Sequence, residues 1–140
     1  MNEQQRKNVE EAISFLKNFN QEKPKGLIWN YTYYGLHNAE HPPEENNYCG
    51  IAACALGALA IAGKANVPAG KWKKDYDRYH YHWGKDPYDV ATEVFGMNLE
   101  WFDYTFGGNA PATYIEEDGV YRTLPADVAD ALSHYLEETT

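Results

Sequence analysis

The sequence lacks any apolar run approaching the ~20 residues of a membrane span. It has only two cysteines in 140 residues, too few for a disulfide scaffold, so a reducing setting is expected. The opening MNEQQRKNVEE lacks the basic-then-apolar order of a signal peptide, which makes the expected location cytoplasmic. Cations are scarce. Lys and Arg number 12 against 21 Asp and Glu, a net charge of −9, which argues against a general binder of duplex DNA. Low-complexity tracts and internal repeats are also missing. What remains is a chain that is 44% hydrophobic and 15% aromatic, enough to build a core and to exclude wholesale disorder.

Charge is unevenly spread. Residues 1–48 hold 5 basic and 7 acidic groups, residues 49–97 hold 6 and 5, and residues 98–140 hold 1 and 9. No linker separates these parts, so one domain over residues 1–140 with a polarised surface is the simplest organisation.

The first helix is predicted over residues 3–18, where Val9, Ala12, Ile13, Leu16 and Phe19 form one apolar stripe. Pro24 and Gly26 mark a break. Residues 27–34 are short, aromatic and β-prone, and residues 37–48, with their Pro-Pro pair, read as an exposed loop. Residues 51–62 are almost wholly apolar and mainly alanine. They predict a buried central helix stopped by Gly63. Residues 66–85 look irregular. Asp86-Pro87 starts a helix that Gly96 ends, and Asn98 caps another with Leu99, Phe102 and Phe106 inward. Residues 114–122, centred on Asp118-Gly119, predict a small hairpin. A last helix follows Thr123. The expected class is mainly α, as α+β with a few short strands, around that alanine-rich helix.

The segment Cys49-Gly50-Ile51-Ala52-Ala53-Cys54-Ala55-Leu56-Gly57 resembles a signature of short bacterial and phage proteins of unassigned function, Cys-Gly-Thr-x-x-Cys-x-x-Gly. Ile51 stands where Thr is usual, and Ala58 where a bulkier residue is common. Val94-Phe95-Gly96, Leu99-Glu100-Trp101-Phe102 and Pro125-Ala126-Asp127-Val128-Ala129 extend the likeness over roughly residues 27–136. The resemblance implies a phage-type accessory protein, placed in the host cytoplasm if phage-encoded, with counter-defence by ligand sequestration as one role. A weaker resemblance is to papain-like peptidases that process bacteriocin leaders, which place Cys-Gly at the start of a buried helix. It implies a nucleophilic Cys49, its thiol favoured by the helix N-terminus, with His80 or His82 and Asp86 in support. The upstream Gln of those enzymes is replaced here by Pro42, Pro43 and Glu44.

Metal binding by Cys49, Cys54, His80 and His82 would need a spacing that matches no tight zinc pattern. No metal and no cofactor are expected. Residues 71–85 carry 5 of the 12 basic residues, 5 aromatics and 2 histidines. Rings that stack and cations that hold phosphate suit a small anionic, nucleotide-derived ligand. The contacts expected are Trp72, Lys73, Arg78, Tyr79, His80 and Trp83. Ordinary packing is the competing account, since Tyr76, Tyr79 and Trp83 fall at helix-face spacing. Trp29, Tyr31, Tyr33 and Tyr34, and the turn Gly107-Gly108-Asn109, are further candidates for the same pocket. The acidic end, with Glu116, Glu117, Asp118, Asp127, Asp130, Glu137 and Glu138, offers a surface for a basic host protein. The aromatic excess suggests a homo-oligomer.

Overall fold

The computed structural model describes residues 1–139, with helices α1 (Glu3–Lys17), α2 (Phe19–Glu22), α3 (Ala55–Ile61), α4 (Pro87–Phe95), α5 (Leu99–Thr105) and α6 (Pro125–Thr139). The strands are β1 (Ile28–Trp29), β2 (Leu36–His37), β3 (Ile51–Ala53), β4 (Lys71–Asp75), β5 (Arg78–His82), β6 (Tyr114–Ile115) and β7 (Tyr121–Arg122). Five strands form one sheet in the order β1-β3-β2-β5-β4, and β6 pairs with β7 apart from it. β1 runs parallel to β3, and every other pairing is antiparallel. The class is α+β. No helix among the described residues is long and apolar enough to cross a membrane.

Local signals account for most helix ends. Asn2 and Gln5 form a reciprocal capping box at the start of α1, satisfying two otherwise orphaned amides. Asp86 caps α4 through the Tyr88 amide, and Gly96 closes it at φ 70°. Asn98 caps α5 through the Trp101 amide. Leu99, predicted to face inward, is instead 56% exposed. The buried stripe of α1 is Val9, Ala12, Phe15 and Leu16, and it packs against α6 and α4.

One buried polar residue of α1 ties distant chain together. The Asn8 amide donates to the Val94 carbonyl at 2.9 Å, and its side-chain oxygen accepts from Gln4 and from Asn66. With every polar atom partnered, burial costs little. Glu11 accepts from the Ala65 amide at 2.9 Å, so α1 pins the turn where Ala65 and Asn66 both take positive φ.

Two expectations need correction. The alanine-rich stretch is not one helix from residue 51. Residues 51–53 are the strand β3, held between β1 and β2, and the helix begins only after Cys54. Strand pairing here overrides the helix propensity of alanine. Gly63 does stop the segment, at φ 68°. Cys49 therefore stands at no helix start. It lies exposed in the turn before β3, and Cys54 takes the N-cap of α3. The second correction concerns residues 71–82, which form neither an irregular stretch nor a helical face. They are the two strands of a hairpin turned at Tyr76 (φ 59°, 92% exposed) and Asp77.

α3 is buried from Ala55 to Ala60. A Cβ built at Gly57 would fall 1.5 Å from the Tyr34 carbonyl oxygen, so the helix lies directly on that peptide. At Gly63 a Cβ meets nothing within 4 Å; only the left-handed backbone opposes it. Gly57→Ala should cost about 3 kcal/mol by forced displacement, lowering Tm by roughly 10 °C. Gly63→Ala should cost about 1 kcal/mol. Thermal unfolding of the two variants checks this, and equal Tm losses would contradict the close approach at residue 57.

Candidate functional site

A cleft of about 370 Å³ opens where β1 and its following turn, the start of α3, the end of α5 and β7 meet. This volume falls in the lower part of the range for small-molecule sites. Trp29 enters from β1. Its indole N–H donates to the Thr123 carbonyl at 3.0 Å, and its ring meets Phe19 edge-on at 5.6 Å. Asn30 shapes the next turn by accepting the Thr32 amide at 2.8 Å. Tyr31 and Tyr34 line the cleft from that turn, Phe106 from the end of α5, and Tyr121 from β7. Tyr121 stays 59% exposed, on a hairpin where Tyr114, Ile115 and Val120 are also exposed.

The cleft holds one cation, Arg122. Its guanidinium lies over the Tyr31 ring, 4.9 Å from the centroid. Two carboxylates already meet it, Glu116 at 3.4 Å and Asp118 at 3.3 Å. The cleft's one cation thus already has two carboxylate partners, and five rings share the wall with it.

Cys54 and Tyr34 form part of the same wall. Desolvation pushes the Cys54 thiol up to about 11, outweighing the opposing pull of the Gly57 and Leu56 amides. Burial pushes the Tyr34 phenol up to about 12, with Cys54 and Asp86 as lesser causes. Both groups are protonated at neutral pH, so Cys54 is a weak nucleophile there.

A smaller recess of about 170 Å³ adjoins the cleft. Thr32 and Tyr34 line both. Its other side is formed by His80 and His82 of β5, then Trp83 and Lys85. Trp83 packs edge-on against Tyr34 and Tyr81, at 5.6 and 5.7 Å, and its N–H donates to the Pro68 carbonyl.

The strand period separates the six expected ligand contacts. Directly paired residues share a sheet face, and the register pairs Lys73 with His80, Lys71 with His82 and Asp75 with Arg78. Lys73, Arg78 and His80 thus occupy one face. Trp72 and Tyr79 occupy the other, where Trp72 packs on Tyr81 at 5.0 Å and near His37 at 6.4 Å. Trp83 lies beyond β5 in the recess. On this face Lys71, Lys73 and His82 are exposed, while Leu36, Ala52, Arg78 and His80 are half-buried.

The remaining candidates are scattered. Asp86 serves as the α4 cap, and Cys49 lies in its exposed turn. Among the described residues no group of three or more metal-ligating side chains gathers. Of the Gly107-Gly108-Asn109 turn, Gly107 and Asn109 already donate their amides to Phe102 and Asp103. Tyr33, the fourth ring of its cluster, faces the recess beside His80 at 6.0 Å. Of the acidic end, Asp127 is buried and accepts from Thr113 and the Leu124 amide.

The cleft walls that sequence reasoning underrated are Phe106, Tyr121 and Arg122. Arg122 carried a signal, being the lone cation of residues 98–140.

Iodoacetamide at pH 7.5 should modify Cys49 rapidly and leave Cys54 unmodified until the chain unfolds; mass spectrometry of tryptic peptides reads this, and equal rates would contradict it. The raised Cys54 pKa also has a sign. Between pH 9, near the ordinary thiol value, and about 11, the unfolded chain loses this proton while the folded chain keeps it. Stability should therefore fall as pH rises through that window. Urea unfolding of wild type and Cys54→Ala at pH 8, 9 and 10 should show a steeper loss in the wild type. Compared with family models, curated proteins and solved structures, the chain finds no match.

Proposed function

We propose that this protein is a binding protein that holds a small ligand carrying a planar ring of nucleobase size in the cleft between β1, α5 and β7. The observation that carries this reading is the convergence of Trp29, Tyr31, Tyr34, Phe106 and Tyr121 on one cavity of about 370 Å³. These rings come from three separate parts of the chain. Stacking on such rings contributes about 1–3 kcal/mol per base. The walls are braced by contacts within the protein, Trp29 on Thr123 and Arg122 on Tyr31, so little ordering entropy is lost on binding.

Binding rather than turnover is supported by the state of the thiols. Cys54, the cysteine in the cleft, is held protonated by desolvation. Cys49 has no helix N-terminus behind it. Sequestration of a nucleotide-derived signal is the role this reading favours.

A thermal-shift panel of nucleosides and nucleotides at millimolar concentration should raise Tm for at least one ring system. Tyr121→Ala, on the exposed side of the cleft, should weaken that ligand about tenfold, equivalent to ~1.4 kcal/mol. Trp72→Ala should leave ligand affinity within twofold, because its ring lies outside the cleft lining and packs on Tyr81. No Tm rise with any member of the panel would refute the reading.

A further inference from the structure

We infer that the recess beside the cleft receives the anionic end of the same ligand, so that the ligand class is a nucleoside phosphate with its ring in the cleft and its phosphate against β5. This deepens the function proposed above and rests on it.

Adjacency of the two cavities comes first. Thr32 and Tyr34 each line both, so the two spaces lie side by side with these residues between them. Burial keeps the Tyr34 phenol protonated at neutral pH.

Charge is placed to the same effect. The cleft's own cation is matched by Glu116 and Asp118. The recess presents His80, His82 and one cation, Lys85, whose partner is the exposed Glu93. Cross-strand register adds Lys73 beside His80 and Lys71 beside His82 on the same face, with Cβ atoms about 5 Å apart. Arg78 follows along that face.

Three carboxylates lie nearby, and the charge of one of them, Asp86, also bears on Tyr34. Asp75 lies opposite Arg78 at the turn end of the hairpin. Asp86 accepts the Tyr88 amide as the α4 cap. Glu93 meets Lys85 at 2.6 Å, with side chains 62% and 38% exposed. An exposed pair of this kind is worth about 0–1 kcal/mol, so a phosphate can displace Glu93.

Scale points the same way. The whole chain is at −9, so a long polyanion is repelled by most of its surface. A compact anion feels mainly the local cationic face. A phosphorylated small molecule satisfies both conditions.

The test compares each nucleoside with its 5′-monophosphate by calorimetry at 150 mM salt, using the adenine, guanine, cytosine and uracil series. The expected result is at least tenfold tighter binding of the monophosphate for the preferred base. That gain should shrink below threefold in His82→Ala/Lys85→Ala, while nucleoside affinity stays unchanged. Raising salt to 500 mM should weaken the monophosphate and leave the nucleoside unaffected. A nucleoside that binds as tightly as its monophosphate would overturn the phosphate assignment and leave the ring cleft standing. So would a phosphate gain that survives the double variant. Failure of every nucleoside and every monophosphate to bind would overturn both. Circular dichroism confirms that the double variant is folded.

Discussion

The structure turns on how tightly residues 33–35 are gripped. On one side α3 lies on the Tyr34 carbonyl, an approach open only because position 57 is glycine. The Cys54 amide donates to the Tyr33 carbonyl at 2.6 Å. On the other side the Tyr81 amide donates to the Gly35 carbonyl at 2.9 Å, and a Cβ at Gly35 would fall 2.5 Å from that of Tyr81. A three-residue stretch with no side-to-side freedom thus joins α3 to β5. Interiors this dense transmit displacement instead of absorbing it. The direction of the Tyr34 ring, and with it the boundary between cleft and recess, follows from this grip.

Buried polar groups fix the remaining frame. Asn8 holds the end of α4 and the turn after α3. Asp127 joins the segment at Thr113 to the start of α6, with its carboxylate accepting from Thr113 and the Leu124 amide. The Tyr135 hydroxyl donates to the Phe95 carbonyl at 2.7 Å in the core. An unmatched polar group in these places would cost about 1–3 kcal/mol, so each strongly favours one arrangement of the elements it joins. Asp127 also shows why charge tallies mislead. In the sequence it is one more acidic residue near the end of the chain; in the fold it is a helix-start acceptor that never reaches solvent.

Helix positions were legible where a capping residue met a periodic apolar stripe, as at Asp86 and Gly96 or in α1. The hairpin of residues 114–122 was legible from its Asp118-Gly119 turn. The β4–β5 hairpin was not, though a signal was present. Tyr79-His80-Tyr81-His82 alternates with period two, but its turn puts Tyr76, not glycine or asparagine, at the positive-φ position. Treating residues 71–85 as one aromatic-basic stretch placed Trp72 and Tyr79 with Lys73, Arg78 and His80. The pleat puts them on opposite faces. The cleft itself was half legible: the aromatic cluster at Trp29, Tyr31 and Tyr34 and the turn at Gly107 were visible as fragments. Nothing local in sequence shows that residues so far apart converge, because that depends on how α5 and β7 pack.

The separation of rings from cations has a physical cause. A charge placed among rings loses water and must be neutralised or shifted to its uncharged form. Arg122 meets this demand by lying on Tyr31 between two carboxylates, and so has little charge left to offer. Lys71, Lys73 and His82 are exposed together on one face of the sheet. β5 serves both regimes through its two-residue period. Tyr81 goes inward to Trp72 and Trp83, and His80 and His82 go outward to the recess. Under the proposed function, a ring and an anion would meet neighbouring but distinct surfaces, so a ligand that gains from both would carry its charge at the end away from its ring.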